Sequence, residues 1–148
     1  MSAQQTLIAK YGEPNAAYVQ KYCISWDVQA DFPWFPAPHF LVNSDFKMVL
    51  FKAFTALAAA GLQGEIKTFD GCYNDRPVRG ATVLSLHAWA AAIDLNAACD
   101  GMVVNPTSEQ RQGTWTPEFI ATMKASGLFY GGDFKTRADP MHWALLDG

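Results

Sequence analysis

Two pairs of histidine and aspartate are the residues of this 148-residue chain whose types and spacing could do chemistry. The first pair, His87 and Asp94, lies seven positions apart in the alanine-rich stretch SLHAWAAAIDLN. On a helix, residues seven apart share a face, whereas on one regular strand an odd separation places them on opposite faces. Alanine favours helix by propensity, but AAIDLN is equally acceptable as a buried strand. The spacing therefore leaves both structures open.

The second pair, Asp139 and His142, lies in RADPMHWALL. Imidazoles and carboxylates together are the donors of a catalytic zinc site, in which three protein ligands leave a fourth position to water. The metal lowers the pKa of that water, and a carboxylate that is not a ligand can take its proton. The third histidine, His39, is interpreted as a surface or packing residue. When only the spacing is considered, a histidine near an apolar strand is more often a core residue than a metal ligand.

Two helices and two strands are predicted around these pairs. Apolar residues at helical spacing follow an Asn43–Ser44 cap, which predicts a helix that ends at Gly61. Thr116 predicts the cap of a second helix, with Pro117 at its first position and Gly127 at its end. Strands are predicted for GEIKTFD, residues 64–70, and for PMHWALL, residues 140–146. GCYNDRPVRG and FYGGDF are expected to form turns.

Residues 1–42 are interpreted as a strap packed on a single domain that spans residues 1–148. The strap has a short helical start, and the three prolines of DFPWFPAPHF then predict an irregular path. At this length one hydrophobic core is expected.

Composition excludes several classes of protein. Half of the residues are hydrophobic and 17% are charged, which is typical of a globular protein rather than a disordered one. The net charge of −3 and the lack of a basic run argue against nucleic acid as a partner. Three cysteines without a CxxC spacing are expected to be small buried residues in a reducing compartment. The N-terminus lacks a signal-peptide pattern and no long apolar run is present, so we expect synthesis in the cytoplasm and no membrane insertion.

The two stretches resemble the signatures of a known family. SLHAWAAAIDLN is similar to the Ser-x-His-x-x-Gly-x-Ala-x-Asp signature of the VanY-type D-alanyl-D-alanine carboxypeptidases and L-alanyl-D-glutamate endopeptidases, which are zinc peptidases of peptidoglycan. DPMHWAL resembles their second signature, Asp/Glu-x-x-His-Phe/Trp, and GLFYGGDFKTRADPMHW is similar to its longer form in phage endolysins. The resemblance spans residues 71–145 in the family's order, and two ordered motifs are more specific than either alone.

Carried over to this chain, the resemblance implies that His87, Asp94 and His142 hold one zinc ion and that Asp139 is the catalytic carboxylate. Ser85 matches the signature serine and is expected to support the geometry of the ligands. The family fold places His87 at the start of a loop that leads into a strand carrying Asp94. The resemblance therefore favours a strand over a helix for this stretch.

The chain departs from the family pattern at two positions. Ala90 replaces the signature glycine, and its methyl group is tolerable if the local φ angle is negative. Ala144 stands where many members have Glu or Gln, so hydrogen bonds from that side chain are absent. Neither change removes a predicted ligand or the predicted base.

GCYNDRPVRG lies where the family has an arginine loop before the first histidine. The resemblance implies that one arginine binds a substrate carboxylate or the developing oxyanion, and Arg76 fits the family position better than Arg79. The alternative is that both are solvated loop residues. Four aromatic residues could line a groove but are more often core residues: Trp89, Trp115, Tyr130 and Trp143.

The resemblance implies a small α+β domain, with an antiparallel sheet, helices on one side and a zinc cleft. It implies hydrolysis of an amide bond in the peptide stem of bacterial peptidoglycan, and the GGDFK segment favours an L-alanyl-D-glutamate endopeptidase that acts as a phage endolysin. The alternatives are a D-alanyl-D-alanine carboxypeptidase or dipeptidase, and a non-catalytic wall-binding or virion module that has kept the fold. The expected protein is a monomer that reaches the cell wall after release from the cytoplasm.

Overall fold

The computed structural model describes residues 1–75 and 84–148, and it combines helices with short antiparallel strands. The helices are α1 Ala3–Tyr11, α2 Ala16–Tyr22, α3 Val28–Asp31, α4 Ser44–Ala59, α5 Ser108–Gln112 and α6 Pro117–Ala125. The strands are β1 Cys23–Trp26, β2 Phe40–Asn43, β3 Phe69–Gly71, β4 Ala92–Leu95, β5 Val103–Val104, β6 Phe129–Tyr130, β7 Arg137–Ala138 and β8 His142–Ala144. This mixture confirms the predicted α+β class.

A four-stranded sheet lies at the centre of the described structure, in the order β3-β4-β8-β6, with antiparallel neighbours. β4 and β8 pair so that Asp94 lies opposite His142 and Ile93 lies opposite Trp143. Because side chains alternate along a strand, Asp94 and His142 share one face of the sheet and Ile93 and Trp143 share the other. Two residues that are 48 positions apart in sequence thus become direct neighbours across the sheet.

The face that carries Ile93 and Trp143 packs against α4 and α6. Asn43 caps α4 by accepting hydrogen bonds from the backbone N–H groups of Asp45 and Phe46, as predicted. Gly61, at a φ of 71°, follows the end of this helix, and Thr116 caps α6 with Pro117 as its first residue. The helices contribute these buried side chains to the core: Phe46, Leu50, Ala53, Phe54, Leu57, Phe119 and Met123.

The opposite face is covered at one end by α1 and α2. Leu7 and Tyr11 of α1 and Tyr18 of α2 form a second buried cluster with the alanine-rich stretch. The small side chains of Ala88 and Ala92 allow this close packing. Helices therefore lie on both faces of the sheet, and the expectation of helices on one side is wrong. The end of this face that carries Asp94 and His142 forms the floor of a cleft.

Residues 1–42 are more regular than predicted. They form α1, α2, α3 and a strand pair in which Trp26 of β1 lies opposite Phe40 of β2. The longest stretch without helix or strand is residues 32–39, which holds the three prolines. The prolines determine the path of that short segment but do not prevent the flanking residues from pairing.

The predicted strand at residues 64–70 forms only at its end, as β3. Gln63–Glu65 is a short helical turn, and the backbone N–H groups of Lys67 and Thr68 donate to the side-chain oxygen of Asn96 at 2.7 and 3.1 Å. Asn96 thus replaces a neighbouring strand as the hydrogen-bond partner of this segment. The strand predicted for residues 140–146 forms as the shorter β8.

The three cysteines differ in exposure. Cys72 is buried, as expected, and Cys23 is half-buried, but Cys99 is exposed because it lies in the loop between β4 and β5. None of the helices within residues 1–75 and 84–148 is long and apolar enough to cross a membrane.

Candidate metal centre

His87 lies in a short 3-10 helix, Leu86–Trp89, immediately before β4. Ser85 caps this turn, since its hydroxyl oxygen accepts a hydrogen bond from the backbone N–H of His87 at 3.2 Å. Ser85 therefore contacts the backbone of a predicted ligand, although its supporting role in a metal site stays a prediction. The alanine-rich stretch is thus neither one helix nor one strand, and the turn lets His87 and Asp94 reach the same face.

The turn between His87 and β4 requires an unusual backbone conformation at Ala90. This residue has φ 51° and ψ 36°, in the left-handed region that favours glycine. Alanine would be free of strain here only at a negative φ, so the backbone at Ala90 is strained. Asn43 donates its backbone N–H to the carbonyl of Ala90 at 3.1 Å, and Tyr18 donates its hydroxyl to the carbonyl of Trp89. Residues of the first third of the chain thus hold the strained turn.

Asp94 lies between two imidazoles. Its Oδ2 is 3.2 Å from Nε2 of His87, and its Oδ1 is 3.5 Å from Nδ1 of His142. All three residues are buried, and the two imidazole centroids are 5.3 Å apart. Burial opposes ionisation of Asp94, but the contacts with His142 and His87 outweigh burial and lower the pKa of this carboxyl. Asp94 is therefore a carboxylate at neutral pH.

The protonation of His87 is determined by a backbone carbonyl. Nδ1 of His87 lies 2.8 Å from the carbonyl oxygen of Cys72, which can only accept, so Nδ1 carries a proton. In the neutral imidazole, Nε2 then presents a lone pair toward the carboxylate of Asp94. Nε2 of His87, Nε2 of His142 and Oδ1 of Asp94 are buried atoms without a hydrogen-bond partner within the described residues. A cation held between the three residues would supply the partner that buried polar groups of this kind require.

These three residues fit a metal ion. One ligand atom from each of His87, Asp94 and His142 lies within 4.8 Å of the others, so a single ion can contact all three. Two imidazoles and one carboxylate form a common ligand set of catalytic zinc, which keeps a further position for water. The carbonyl of Cys72 orients His87 in the way that outer hydrogen-bond partners orient histidine ligands.

Asp139 stands beside this cluster. Its backbone carbonyl accepts from the N–H of His142 at 2.9 Å, and its N–H donates to the carbonyl of Gly131 at 2.9 Å. A side chain at Gly131 would contact the carbonyl of Asp139 and lie 2.8 Å from Cβ of His142, so only glycine fits there. This close approach fixes Asp139 relative to His142.

In the described part of the chain, no side chain is hydrogen-bonded to the carboxyl group of Asp139. Its Oδ1 is buried and has no hydrogen-bond partner among residues 1–75 and 84–148. Burial raises the pKa of Asp139, and the nearby charge of Asp94 adds to the rise, while His142 and Arg137 oppose it. A carboxyl group with a raised pKa is suited to accept and return a proton near neutral pH.

A cleft of about 330 Å³ opens above the cluster. His87, His142 and Asp139 line it together with residues that the sequence did not single out, namely Met102, Phe134, Met141 and Arg137. Arg137 belongs to β7, and Asp139 directly follows this strand. Because side chains two positions apart on a strand lie on the same face, the position of Asp139 in the sequence could have indicated that Arg137 also lines the cleft.

The remaining predicted site residues lie elsewhere. Arg76 and Arg79 fall outside the described residues. His39 is exposed, in agreement with its interpretation as a surface residue. The four aromatic residues that could have lined a groove are buried core residues: Trp89, Trp115, Tyr130 and Trp143.

A buried His-Asp-His cluster at the base of a cleft, beside a carboxyl group with a raised pKa, is the arrangement of a metal-dependent hydrolase. The family model of the D-alanyl-D-alanine carboxypeptidases matches residues 79–145, slightly less than half of the chain. The matched segment holds the three residues of the cluster and also Asp139. No curated protein and no solved structure gives a significant match.

The match indicates a metallopeptidase related to peptidoglycan metabolism. It confirms the resemblance at the level of the D-alanyl-D-alanine carboxypeptidase family over that segment. The closer likeness to phage endolysins stays a prediction.

Proposed function

We propose that this protein is a zinc peptidase that hydrolyses an amide bond in the peptide stem of bacterial peptidoglycan. The observation that carries the proposal is the buried cluster of His87, Asp94 and His142, in which one possible ligand atom of each residue lies within 4.8 Å of the others. The family match over residues 79–145 supports the substrate class. Within this class we propose an L-alanyl-D-glutamate endopeptidase that acts as a phage endolysin, on the basis of the GGDFK segment.

In this proposal His87, Asp94 and His142 hold one zinc ion. When bound there, zinc supplies a Lewis acid that polarises a carbonyl group and lowers the pKa of water. The carbonyl of Cys72 keeps the proton of His87 on Nδ1 and leaves Nε2 available as a ligand. Asp94 stays ionised over the whole physiological range, because its pKa is lowered.

Asp139 is the general base in this proposal. Its carboxylate takes a proton from the attacking water and then delivers one to the nitrogen of the leaving amine. Its burial and raised pKa suit both steps, because the protonated and ionised forms lie closer in free energy at neutral pH than for an exposed aspartate. Arg76 is proposed to stabilise negative charge on the substrate, with Arg79 as the alternative.

A D-alanyl-D-alanine carboxypeptidase or dipeptidase is the second candidate, and the description of the matching family favours it. The two activities differ in the bond that is cut. Digestion of purified cell wall, followed by identification of the new amino terminus, separates them. A new N-terminal glutamate indicates the endopeptidase, whereas release of free D-alanine indicates the carboxypeptidase.

A non-catalytic wall-binding or virion module is the candidate from a different class. The absence of a glycine at Ala90 and of a longer side chain at Ala144 supports it. The buried Oδ1 of Asp139, which has no partner within residues 1–75 and 84–148, argues against it, because a binding module has no need for such a costly group. We propose that the partner is the peptidoglycan stem, that nucleic acid and membrane insertion are not involved, and that the protein is a monomer that reaches the wall after release from the cytoplasm.

The first experiment measures zinc content and wall-degrading activity, with and without a chelator. We expect about one zinc ion per wild-type chain and loss of both zinc and activity in His142→Ala. The matched control is His39→Ala, because His39 is an exposed histidine in the proline-rich segment. A wild-type protein that stays metal-free and inactive after addition of zinc would support the non-catalytic module.

The variant Asp139→Ala distinguishes the role of a general base from that of a zinc ligand. We expect this variant to keep zinc and to lose activity by a factor of at least about 100, because general-base catalysis contributes about 10² to 10⁴. Asp27→Ala, at an exposed position whose side chain makes no capping hydrogen bond, is the control. Full activity in Asp139→Ala would exclude Asp139 as the base.

A further inference from the structure

Arg137 and Asp139 lie on the same side of the β7 segment. Ala138, between them, is fully buried, whereas Arg137 and Asp139 are half-buried and both line the cleft. Alternation along the strand accounts for this arrangement. Pairing of β7 with β5, in which Arg137 lies opposite Val104, fixes the backbone at this position. The guanidinium group therefore belongs to the same cleft as the proposed catalytic carboxyl.

Within the described residues, the guanidinium of Arg137 forms no ion pair. No carboxylate lies within 4 Å of it and no acceptor is hydrogen-bonded to it in the described parts of the chain, residues 1–75 and 84–148. By contrast, Arg111 donates to three backbone carbonyls and serves the structure. Arg137 thus keeps its donors available in the cleft.

An aromatic ring orients this guanidinium. The central carbon of the Arg137 guanidinium lies 5.2 Å from the ring centroid of Phe134, within the range of a cation–π contact. Such a contact occupies a face of the planar group and leaves the N–H edges free. Those edges match the two oxygens of a carboxylate. Among the described residues that line the cleft, Arg137 is the only lysine or arginine.

We propose that Arg137 binds a carboxylate of the substrate that is not part of the bond being cut, and thereby selects acidic stem peptides. This inference rests on the proposed function and deepens it. In a peptidoglycan stem, the carboxylate can come from the D-glutamate residue or from the terminal D-alanine. Both have the same chemistry, and amidation of one or the other distinguishes them.

The kinetic test compares wild type with Arg137→Gln on three synthetic stem peptides. One has both carboxylates free, one has the D-glutamate carboxylate amidated, and one has the terminal carboxylate amidated. We expect wild type to lose about tenfold to a hundredfold in kcat/KM when the recognised carboxylate is amidated, the usual effect of a lost charged hydrogen bond. Arg137→Gln is expected to cleave that amide and the free acid equally well.

The peptide that loses activity identifies the source of the carboxylate. Equal zinc content in both proteins excludes a structural effect on the metal site. Lys135→Gln is the matched control, because it removes the same charge from an exposed neighbouring position. The proposal is overturned if wild type cleaves all three peptides equally, or if Arg137→Gln discriminates as wild type does.

A binding measurement keeps this inference separate from the proposed function. Calorimetric titration of the zinc-loaded protein with the same three peptides reports binding whether or not they are cleaved. If wild type cleaves none of them, the proposed function fails, yet charge-selective binding that disappears in Arg137→Gln still supports the role of Arg137. Binding that is independent of both carboxylates overturns that role.

Discussion

Ala90 combines a conformational cost with a packing gain in one residue. Its φ of 51° costs about 1–2 kcal/mol for a residue with a side chain. Its methyl group is fully buried in the main core, which recovers about 0.8 kcal/mol. The packing gain offsets roughly half of the conformational cost, which explains how alanine can occupy a position that glycine occupies in the family signature. The departure at Ala90 is therefore weak support for loss of catalysis.

Substitution of Ala90 by glycine tests whether backbone strain offsets the burial of the methyl group. We expect Ala90→Gly to change the free energy of unfolding by less than about 1 kcal/mol, because relief of the strained φ offsets the lost methyl group and the greater freedom of glycine when unfolded. Ala53→Gly, at an equally buried alanine inside α4, is expected to cost about 2 kcal/mol, since nothing is relieved there. Chemical denaturation measures both. Equal losses at the two positions would contradict strain at Ala90.

The raised pKa of Asp139 has a consequence for stability in the metal-free protein. A carboxyl whose pKa is raised by folding stabilises the fold fully below its unfolded pKa of about 4, and this contribution is lost as the pH rises through the folded pKa. Asp139→Asn removes the titrating group. With chelator present, we therefore expect this variant to be more stable than wild type at neutral pH and to lose that advantage near pH 3–4.

The measurement is a series of denaturant midpoints between pH 3 and pH 8. Asp27→Asn provides a reference, because Asp27 is exposed. An advantage of Asp139→Asn that does not depend on pH would show that the asparagine stabilises the protein by packing rather than by removing a buried charge.

At the scale of elements, the site depends on the short 3-10 turn Gly131–Asp133, which follows β6. Gly131 lets the backbone of Asp139 and Cβ of His142 approach more closely than a side chain would permit. We expect Gly131→Ala to lower the free energy of unfolding by about 1–3 kcal/mol, as overpacking does, and to weaken zinc binding. Gly64→Ala is the control, since Gly64 has no atom within 4 Å of an added methyl group and no positive φ.

Thermal denaturation and a zinc titration with a competing chelator measure these effects. If Gly131→Ala bound zinc as tightly as wild type, the position of His142 would not depend on this turn.

The elements were predicted best where local signals determine them. Caps at Asn43 and Thr116 and the glycine after α4 gave two helices from sequence alone. The short helical start of residues 1–42 was predicted, but the strand pair was missed because β1 and β2 are stabilised by each other and by the core, not by local pattern. The strand predicted at residues 64–70 was shortened by Asn96, which is distant in sequence. Contacts with residues that are distant in sequence do not produce a periodic pattern of hydrophobic residues, so the sequence does not reveal them.

In the candidate site, too, the sequence indicated what local signals determine and missed what tertiary contacts determine. The three residues of the cluster and Asp139 were singled out by type and by motif, but the proximity of the three depends on the pairing of β4 with β8 and on the left-handed turn at Ala90. Spacing alone allowed a helix. The carbonyl of Cys72 and the guanidinium of Arg137 have no sequence signature, because a backbone group and a lone arginine in a strand look ordinary in a sequence.

At the scale of the whole molecule, the cluster joins distant parts of the chain. His87 and Asp94 come from the middle of the sequence and His142 from its end, while Tyr18 and Asn43 hold the turn between the first two. The unfolded chain cannot bring these residues together, so a metal ion binds the folded state in preference. Zinc binding should therefore increase the stability of the entire fold.

We expect zinc at about 100 times its dissociation constant to stabilise the wild-type protein by about 2.7 kcal/mol. For a chain of this length that corresponds to a rise in Tm of about 5–10 °C. His142→Ala should show no rise, and His39→Ala should show all of it, because only the first removes a donor from the cluster. A differential scanning measurement on chelator-treated protein, with zinc returned stepwise, tests this. An equal rise in all three proteins would mean that zinc binds outside the cluster, and the assignment of these ligands would then be wrong.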